Sequence, residues 1–331
     1  MTRTGVLLAA NLLIGAAALA WALAHFGAPA VGLLARDPSL AGLAAVAALV
    51  GSGLAVDALR WRVLLAGVGP TPSLPRLVAF RAAGQAVSSL LPSARLGGEP
   101  LRMWLVAGSA GVGAARAIAT VVVDRALEMG ASSGFACLFA AVLVAQGVPQ
   151  LGGALATMGL GLGGFVVGAA LAVRRLRRGR GLVSAAVRAL RLDRLAPVGS
   201  RMDVVAGAEQ AAAALLAEPY RLLGAFAIGL SATAFVLLEY AALLRAFRLP
   251  VGVLEVVAAI FAAGAAHALP VPAAIGALEG ATMWIFGVLG HPPEVGLAVG
   301  LASRLRELLW VTPGLAVLTA RGVTHARAPR G

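Results

Sequence analysis

Long apolar stretches alternate with short charged segments along the whole chain. Several of the stretches approach the roughly 20 residues that a helix needs to cross the hydrocarbon core of a bilayer. They are residues 5–24, 40–56, 74–91, 114–147, 151–173, 222–244, 254–269 and 295–320. The pattern predicts an all-α protein, built as a polytopic membrane helix bundle in a single transmembrane domain.

The composition supports the same prediction. Hydrophobic residues make up 60% of the chain and charged residues 12%, with a mean hydropathy of +0.92, whereas about a quarter of the residues of a soluble domain are charged. The first stretch is longer than the apolar part of a cleaved signal peptide, which favours a retained first helix. The single cysteine, Cys137, excludes disulfides within the chain, and the histidines have no metal-ligand spacing, so neither a metal nor a cofactor is expected.

Two of the apolar stretches end in the same kind of element, in which Pro and Gly are followed by Glu. Pro removes a backbone donor and ends a helix, and Gly allows the chain to turn. Inside a membrane, non-helical backbone persists only where it is buried in protein or lines a wet cavity. Paired interrupted helices in two halves of a chain therefore indicate a transport site. The predicted break residues are Pro92, Gly97 and Gly98 in the first half and Pro270, Pro272 and Gly276 in the second.

Every basic residue is an arginine, and the formal net charge is +13. A dense run of arginines follows the stretch 151–173, which favours contact with anionic lipid at the cytoplasmic face over binding of nucleic acid. The run begins with Arg174, Arg175, Arg177, Arg178 and Arg180. Residues 174–219 are interpreted as a cytoplasmic or interfacial amphipathic segment.

A count of crossings predicts two re-entrant hairpins that enter from opposite faces. The positive-inside rule places the arginines after residue 56, the Arg-rich run and the chain's two ends in the cytoplasm. Between two cytoplasmic segments the chain crosses the membrane an even number of times. This count requires that residues 74–107 and residues 254–289 each turn back within the membrane. The alternative is that a long stretch such as 114–147 crosses twice. The resulting segments are 1–173, 174–219, 220–320 and the tail 321–331.

Charged residues within the apolar stretches are the candidates for a functional site, because a charge inside a bilayer costs about 2.5–3.5 kcal/mol or more. Glu99 and Glu279 follow the two breaks, where a carboxylate binds a head-group amine, accepts a proton, or only caps freed backbone N–H groups. Arg102 is expected either to pair with Glu99, three residues earlier, or to bind a lipid phosphate. The other candidates for the path of a head group are Asp124, Arg125, Gln85 and Arg95.

His267 lies one turn before the second break, and an imidazole titrates near neutral pH. It is interpreted either as a proton-titrating group of the site or as a histidine bonded to a neighbouring helix. Arg304 and Glu307, three residues apart in the last stretch, are expected to form a structural ion pair.

Four motifs give the chain a family resemblance. They are Arg60-Trp61-Arg62 with Leu64-Leu65, the element from Leu91-Pro92 through Gly97-Gly98-Glu99 to Arg102, the pair Asp124-Arg125, and the late element with Pro followed by Gly-x-x-Glu. From about residue 40 to residue 320 the chain resembles the lysylphosphatidylglycerol synthase transmembrane-region family, although Ala273 and Ala274 stand where glycines are common. The resemblance implies a flippase-like protein of the bacterial inner membrane, in a stand-alone form without the aminoacyl-transfer domain.

The expected function is transport of an amphipathic envelope lipid between leaflets. The resemblance implies a phospholipid, an aminoacyl-lipid, a glycolipid or a hopanoid-type lipid, so membrane lipids are the expected partners and nucleic acid is not. No catalytic motif is recognised, and an enzyme is not expected. The alternative is a membrane-embedded scaffold or lipid-modifying enzyme that works with a separate cytosolic transferase.

Overall fold

A computed structural model of the chain describes residues 3–91, 97–109, 111–191, 199–269 and 271–327, with side chains described from residue 13 to residue 320 of these ranges. All regular structure in the described ranges is helical, which confirms the predicted fold class. The α-helices are α1 (Arg3–Ala35), α2 (Leu40–Ala66), α3 (Leu74–Leu90), α4 (Glu99–Ala107), α5 (Gly113–Ala145), α6 (Gly152–Arg177), α7 (Val183–Ala189), α8 (Met202–Leu216), α9 (Pro219–Ala246), α10 (Val253–Ala268), α11 (Ala277–Val288) and α12 (Pro293–Arg327). Short 3-10 turns at Pro149–Leu151 and Pro272–Ala274 precede α6 and α11.

Five helices in the described part of the chain are long and apolar enough to cross a membrane. Their apolar ranges are Leu13–Ala35, Leu40–Ala66, Gly113–Ala145, Pro149–Arg177 and Pro219–Ala246. Large apolar side chains cover their outer faces, such as Leu160 and Leu171 on α6, which are 79% and 60% exposed. Because lipid tails are as apolar as these side chains, the protein is a multi-pass membrane protein.

Helix α2 continues to Ala66, beyond its predicted end at residue 56. The predicted boundary was wrong because the charged residues after it were assigned to the cytoplasmic surface. Asp57 and Arg60 are one turn apart and form an ion pair at 3.0 Å, and Arg60 is only 1% exposed. Arg62, by contrast, is exposed. The helix therefore carries one of these arginines into the bundle.

Two pairs of shorter helices border the Pro- and Gly-containing breaks. Helices α3 and α4 have 17 and 9 residues, and α10 and α11 have 16 and 12. At 1.5 Å per residue, α3 is about 26 Å long and α4 about 14 Å, so neither matches the roughly 30 Å of a hydrocarbon core. Each half therefore contains a pair of shorter helices beside a break of the same composition.

The two interruptions begin in the same way. Leu91 (φ −86°, ψ 143°) and Leu269 (φ −76°, ψ 143°) leave the helix for an extended conformation. Each leucine precedes a proline, and the proline ring disfavours the α conformation in the residue before it. The prolines themselves, Pro92 and Pro270, lie outside the described residues.

The two halves of the chain are packed into each other. Helix α12 crosses α3 at Gly314, where a Cβ atom would lie 2.3 Å from the Ala82 carbonyl oxygen, so only glycine permits this close approach. Helix α9 packs along α2, and the main apolar core joins Leu143 of the first half to Leu243 and Phe286 of the second. The turn Pro272–Ala274 contacts α3, so the second break lies against the helix that leads to the first.

The carboxylate of Glu209 joins two helices of the segment between the halves. Glu209 of α8 accepts hydrogen bonds from the backbone N–H groups of Leu182 and Val183, both at 2.6 Å, and from the Ser184 hydroxyl. Burial raises the pKa of Glu209, but these hydrogen bonds lower the pKa by more, and it lies below its ordinary value. Glu209 is therefore ionised at neutral pH and fixes the start of α7 to α8.

Candidate functional site

Asp124 of α5 is the centre of a buried ion-pair cluster. Its Oδ1 accepts a hydrogen bond from Arg60 Nε at 2.7 Å. Its Oδ2 accepts from Arg81 Nη1 at 2.8 Å and from Arg102 Nη2 at 2.7 Å. The arginines come from α2, α3 and α4, and Asp124 is fully buried. One carboxylate thus joins four helices of the first half.

Glu128 extends this cluster by one helical turn. Arg60 Nη2 and Arg81 Nη2 donate to its Oε2 at 3.1 and 2.8 Å, and Arg125 Nη1 donates to its Oε1 at 2.8 Å. Asp57 pairs with Arg81 at 3.2 Å, and Glu99 with Arg125 at 3.6 Å. We call this set the first-break cluster: Asp57, Arg60, Arg81, Glu99, Arg102, Asp124, Arg125 and Glu128. Four arginines face four carboxylates, so the cluster is balanced in formal charge.

Small residues bring α4 against α3 at the first break. A Cβ atom at Gly98 would lie 1.9 Å from the Gly84 carbonyl oxygen, and the Gly98 N–H donates to Ser88 Oγ at 2.8 Å. This contact sets the start of α4, and with it the positions of Glu99 and Arg102. Arg102 also lies over the Trp61 ring, 4.4 Å from its centroid, which is a cation–π distance.

A small pocket opens between these side chains. Two of the residues that line it have a buried polar atom, Arg102 Nε and Glu99 Oε2, without a hydrogen-bond partner among the described residues. Buried polar atoms are nearly always satisfied, and an exception calls for an explanation. The pocket thus offers one donor and one acceptor to a bound group. It is lined by Arg81, Gly84, Gln85, Ser88, Glu99, Arg102, Arg125 and Glu128.

Arg304 of α12 holds the second break. Its Nη1 and Nη2 donate to the carbonyl oxygens of Ala273 and Ala274, the latter at 2.8 Å. Its Nε donates to Glu279 Oε1 at 2.8 Å, and its Nη1 to Glu307 Oε2 at 3.2 Å. The predicted pair of Arg304 and Glu307 is therefore present, but as part of a larger set. We call His267, Glu279, Arg304 and Glu307 the second-break cluster.

Ala273 and Ala274 both have positive φ, 51° and 49°. This left-handed conformation brings Cβ too close to the following carbonyl oxygen and costs about 1–2 kcal/mol per residue for any residue but glycine. The turn is therefore made with alanine in place of glycine, at the cost of backbone strain. Two sets of hydrogen bonds offset that cost. Arg304 donates to the carbonyl oxygens of the turn, and the Gly276 N–H donates to Glu279 Oε2 at 2.9 Å.

Replacing Ala273 by Gly is expected to raise the free energy of unfolding by about 1 kcal/mol, because glycine adopts the left-handed conformation without strain. Thermal unfolding of the purified protein in detergent measures the change. The control is Ala281→Gly within α11, which is expected to destabilise by a similar amount because glycine is a poor helix former. Equal destabilisation by both substitutions would contradict a strained second break.

A further buried ion pair joins two helices of the second half, and its neighbour Trp310 reaches the first half. Arg306 Nε of α12 donates to Glu239 Oε2 of α9 at 2.8 Å. The guanidinium also lies 4.7 Å from the Tyr240 ring centroid and 4.6 Å from that of Trp310. Trp310 Nε1 in turn donates to Ser89 Oγ, near the end of α3, at 3.4 Å. Glu239 and Arg306 are 67 residues apart in the chain, so no local pattern in the sequence predicts that they pair.

The structure brings most of the predicted path residues together. Glu99, Arg102, Asp124, Arg125 and Gln85 surround or support the pocket at the first break, whereas Glu279 and His267 lie in the second-break cluster. Arg102 binds Asp124 rather than Glu99, which faces Arg125 instead. Arg95 lies outside the described residues. The side chains of the Arg-rich run are exposed: Arg174, Arg175, Arg177, Arg178 and Arg180.

Sequence analysis did not place Asp57 and Arg60 at the site. Arg60 was assigned to a cytoplasmic patch, and Asp57 was not singled out. Their three-residue spacing, with Asp57 one turn before Arg60, was the available signal, because such a pair lies on one face of a helix. Their contacts with Arg81, Asp124 and Glu128 join distant parts of the chain and leave no pattern in the local sequence.

Comparison with known proteins agrees with this architecture. A 95-residue segment is 34% identical to a UPF0104 membrane protein from Methanothermobacter thermautotrophicus, and it makes up 29% of this chain. The match spans 27% of that relative's length. The family described as lysylphosphatidylglycerol synthase TM region matches residues 8–314, which include both breaks and both clusters. The chain therefore belongs to the lysylphosphatidylglycerol synthase TM region family.

Proposed function

We propose that the protein moves an amphipathic envelope lipid between the leaflets of the bacterial inner membrane. The observation that carries this proposal is the pocket at the first break, where Arg102 Nε and Glu99 Oε2 are buried without partners among the residues that the structure describes. The pocket has a volume of about 10 Å³, room for about one water molecule, so in this proposal it widens to admit a head group. A phosphate together with a donor such as an amine or hydroxyl then satisfies both atoms. Ordinary acyl chains satisfy neither.

The charge balance of the first-break cluster supports a transport site. Four arginines and four carboxylates neutralise one another inside a membrane bundle, where unpaired charges are costly. A lipid phosphate brings an anion and a head-group ammonium brings a cation, so a zwitterionic head group enters without changing the net charge. Arg102 serves as the phosphate contact, because a guanidinium donates through several N–H groups. Glu99 serves as the acceptor for the amine or hydroxyl of the head group.

The interrupted helices support a path through the bundle. In this proposal α3 with α4, and α10 with α11, are re-entrant hairpins that enter from opposite faces, so that their breaks approach each other inside the membrane. The contact of the turn Pro272–Ala274 with α3 agrees with this arrangement. The head group passes along the breaks while the acyl chains remain in lipid, and no covalent chemistry is required of the protein.

The exposed arginines support an orientation. In the proposal both chain ends face the cytoplasm, and the run from Arg174 to Arg180 contacts anionic lipid there. Arginines in the last turn of α6 also suit the negative end of the helix dipole. The same surface is where a separate cytosolic transferase would bind if the protein serves as a scaffold.

Replacing Glu99 by Gln is expected to reduce lipid translocation at least tenfold, because the variant keeps the side chain's size but loses the carboxylate. The assay reconstitutes the protein in liposomes and follows labelled phospholipids and glycolipids by leaflet-specific quenching. Glu218→Gln is the matched control. Glu218 also pairs with an arginine, Arg221, but is 42% exposed, and its replacement is expected to leave the rate unchanged.

Three outcomes separate the alternatives. Translocation that Glu99→Gln abolishes supports the proposal and assigns the path to the first break. Absence of translocation for every lipid class contradicts it and favours a scaffold. Recovery of a covalently altered lipid from the liposomes also contradicts it and favours a lipid-modifying enzyme.

A further inference from the structure

A cavity of about 510 Å³ lies where the loop between α1 and α2 meets the loop between α9 and α10. Its volume is within the range of about 300–1,000 Å³ that is typical of sites for small ligands. The residues that line it are Leu33, Arg36, Asp37, Phe247 and Arg248. Two apolar and three charged side chains therefore share one cavity, a composition that suits an amphipathic ligand.

Contacts between the two loops fix the walls of this cavity. The Ser39 N–H donates to the Ala246 carbonyl oxygen at 2.8 Å, and a Cβ atom at Gly42 would lie 2.8 Å from Ala246 Cβ. Phe247 belongs to the main apolar core, and Leu33 packs against that core. The cavity is therefore built from parts that the packing of the bundle already holds in place.

An exposed ion pair joins the two loops at the cavity. Arg248 Nη2 donates to Asp37 Oδ2 at 2.5 Å, although the two side chains are 68% and 81% exposed. Both residues have positive φ, 53° for Asp37 and 52° for Arg248, a conformation that is strained for a side chain such as arginine. Exposed ion pairs contribute little to stability, whereas strained residues are concentrated at functional sites. A role in binding therefore explains this pair better than a role in stability.

The charges of the cavity favour an anion. Two arginines and one aspartate line it, which gives a formal net charge of +1. Arg36 is exposed and has no hydrogen bond or ion pair within the part of the chain that the structure describes. A phosphodiester carries one negative charge and accepts hydrogen bonds from a guanidinium, so one such group balances the cavity.

The cavity lies at the opposite end of the bundle from the Arg-rich run. Helix α2 has 27 residues and is capped by Ser39 beside the cavity, and at 1.5 Å per residue it is about 40 Å long. Leu176, in the last turn of α6, packs against the apolar cluster that contains Leu64, near the other end of α2. Since α2 is longer than the hydrocarbon core, its two ends reach opposite membrane surfaces. The positive-inside rule gives no reason for arginines on the surface opposite to the run.

We propose that this cavity binds the head group of an anionic phospholipid in the leaflet opposite to the Arg-rich run. Arg36 and Arg248 hold the phosphate, and Leu33 and Phe247 contact the apolar part of the lipid next to it. Asp37 competes with the phosphate for Arg248 and so limits the affinity. The site is separate from the pocket at the first break, and binding there requires no movement of lipid across the membrane.

Photolabelling of the purified full chain in lipid nanodiscs tests this site. The discs consist of phosphatidylcholine with a small fraction of phosphatidylglycerol that carries a photoreactive head group, and the labelled peptides are mapped by mass spectrometry. Label is expected on the peptides that contain residues 33–37 and 247–248. Both Arg36→Gln and Arg248→Gln are expected to lower this label severalfold. Asp37→Asn is expected to raise it severalfold, because Arg248 no longer has an anionic partner in the protein.

The matched control is Arg62→Gln, at an exposed arginine near the other end of α2, and it is expected to leave the label at the cavity unchanged. Label on the Arg-rich run serves as the internal reference for a folded, embedded protein. Arg36→Lys keeps the positive charge and is expected to retain more label than Arg36→Gln. Label at the cavity that persists in both glutamine variants, or that falls in Asp37→Asn while the reference is unchanged, would overturn the proposal.

Two further probes and one competitor identify the ligand. A photoreactive diacylglycerol lacks the phosphate, and photoreactive phosphatidylcholine is zwitterionic, so each is expected to label the cavity severalfold less than phosphatidylglycerol does. Equal labelling by either one contradicts a site for anionic phospholipid. Inorganic phosphate, added at constant ionic strength, is expected to leave the label in place; if it displaces the label, the ligand is a soluble phosphate and not a lipid. Because the assay measures binding alone, a protein that is labelled at the cavity but moves no lipid contradicts the proposed function and not this site.

Discussion

Replacement of Asp124 by Asn is expected to lower the free energy of unfolding by about 3–5 kcal/mol, the range seen when one partner of a buried ion pair is removed. Asp124 is fully buried and accepts hydrogen bonds from Arg60, Arg81 and Arg102. An amide cannot balance three guanidinium groups, and its NH2 group would face one of them as a second donor. The loss is therefore larger than that of an ordinary hydrogen bond.

Thermal or denaturant unfolding in detergent micelles measures this loss. The matched control is Asp37→Asn, because Asp37 pairs with Arg248 where the two side chains are 81% and 68% exposed. Exposed ion pairs contribute little to stability, so this variant is expected to unfold as the wild type does. Equal unfolding temperatures for the Asp124 and Asp37 variants would mean that the first-break cluster does not hold its four helices together.

Replacement of Arg304 by Lys is expected to cost about 2–3 kcal/mol, within the range for leaving buried acceptors of a charged group unsatisfied. A lysine ammonium is a compact point charge and lacks the planar fork that reaches two carbonyl oxygens and two carboxylates at once. The expected loss lies below that for Asp124 because the Arg304 side chain is 22% exposed.

Hydrogen exchange localises this effect. In Arg304→Lys, the amides of residues 271–280 are expected to exchange at least tenfold faster than in the wild type, while those of α2 and α5 remain protected. Arg62→Lys, an exposed position on α2, serves as the control and is expected to change neither region. Acceleration spread evenly over all helices would contradict a local role for Arg304.

Much of the fold follows from patterns that are local in the sequence. Continuous apolar stretches predict the long helices, since few other structures accommodate them. The Leu-Pro pairs at 91–92 and 269–270 mark the ends of α3 and α10, because proline restricts the residue before it. The four motifs described above, taken together, identified the family that the comparison with known proteins confirmed.

What the sequence did not predict depends on contacts between distant residues. Arg60 and Arg62 are chemically identical and two residues apart, yet only Arg60 is buried, because Asp124 lies 64 residues further along the chain to receive it. The left-handed turn at Ala273 and Ala274 is likewise invisible locally, since alanine normally avoids that conformation. It exists because Arg304, 30 and 31 residues later, binds both carbonyls.

The central claim is that a lipid head group contacts the charged pocket at the first break. Cross-linking with a phospholipid that carries a photoreactive head group, followed by mapping of the labelled peptides, tests it most directly. The claim predicts label on α4 and on the part of α5 around Arg125, reduced severalfold in Glu99→Gln and unchanged in Glu218→Gln. Label confined to the exposed run from Arg174 to Arg180 would contradict it and would leave the head group at the membrane surface.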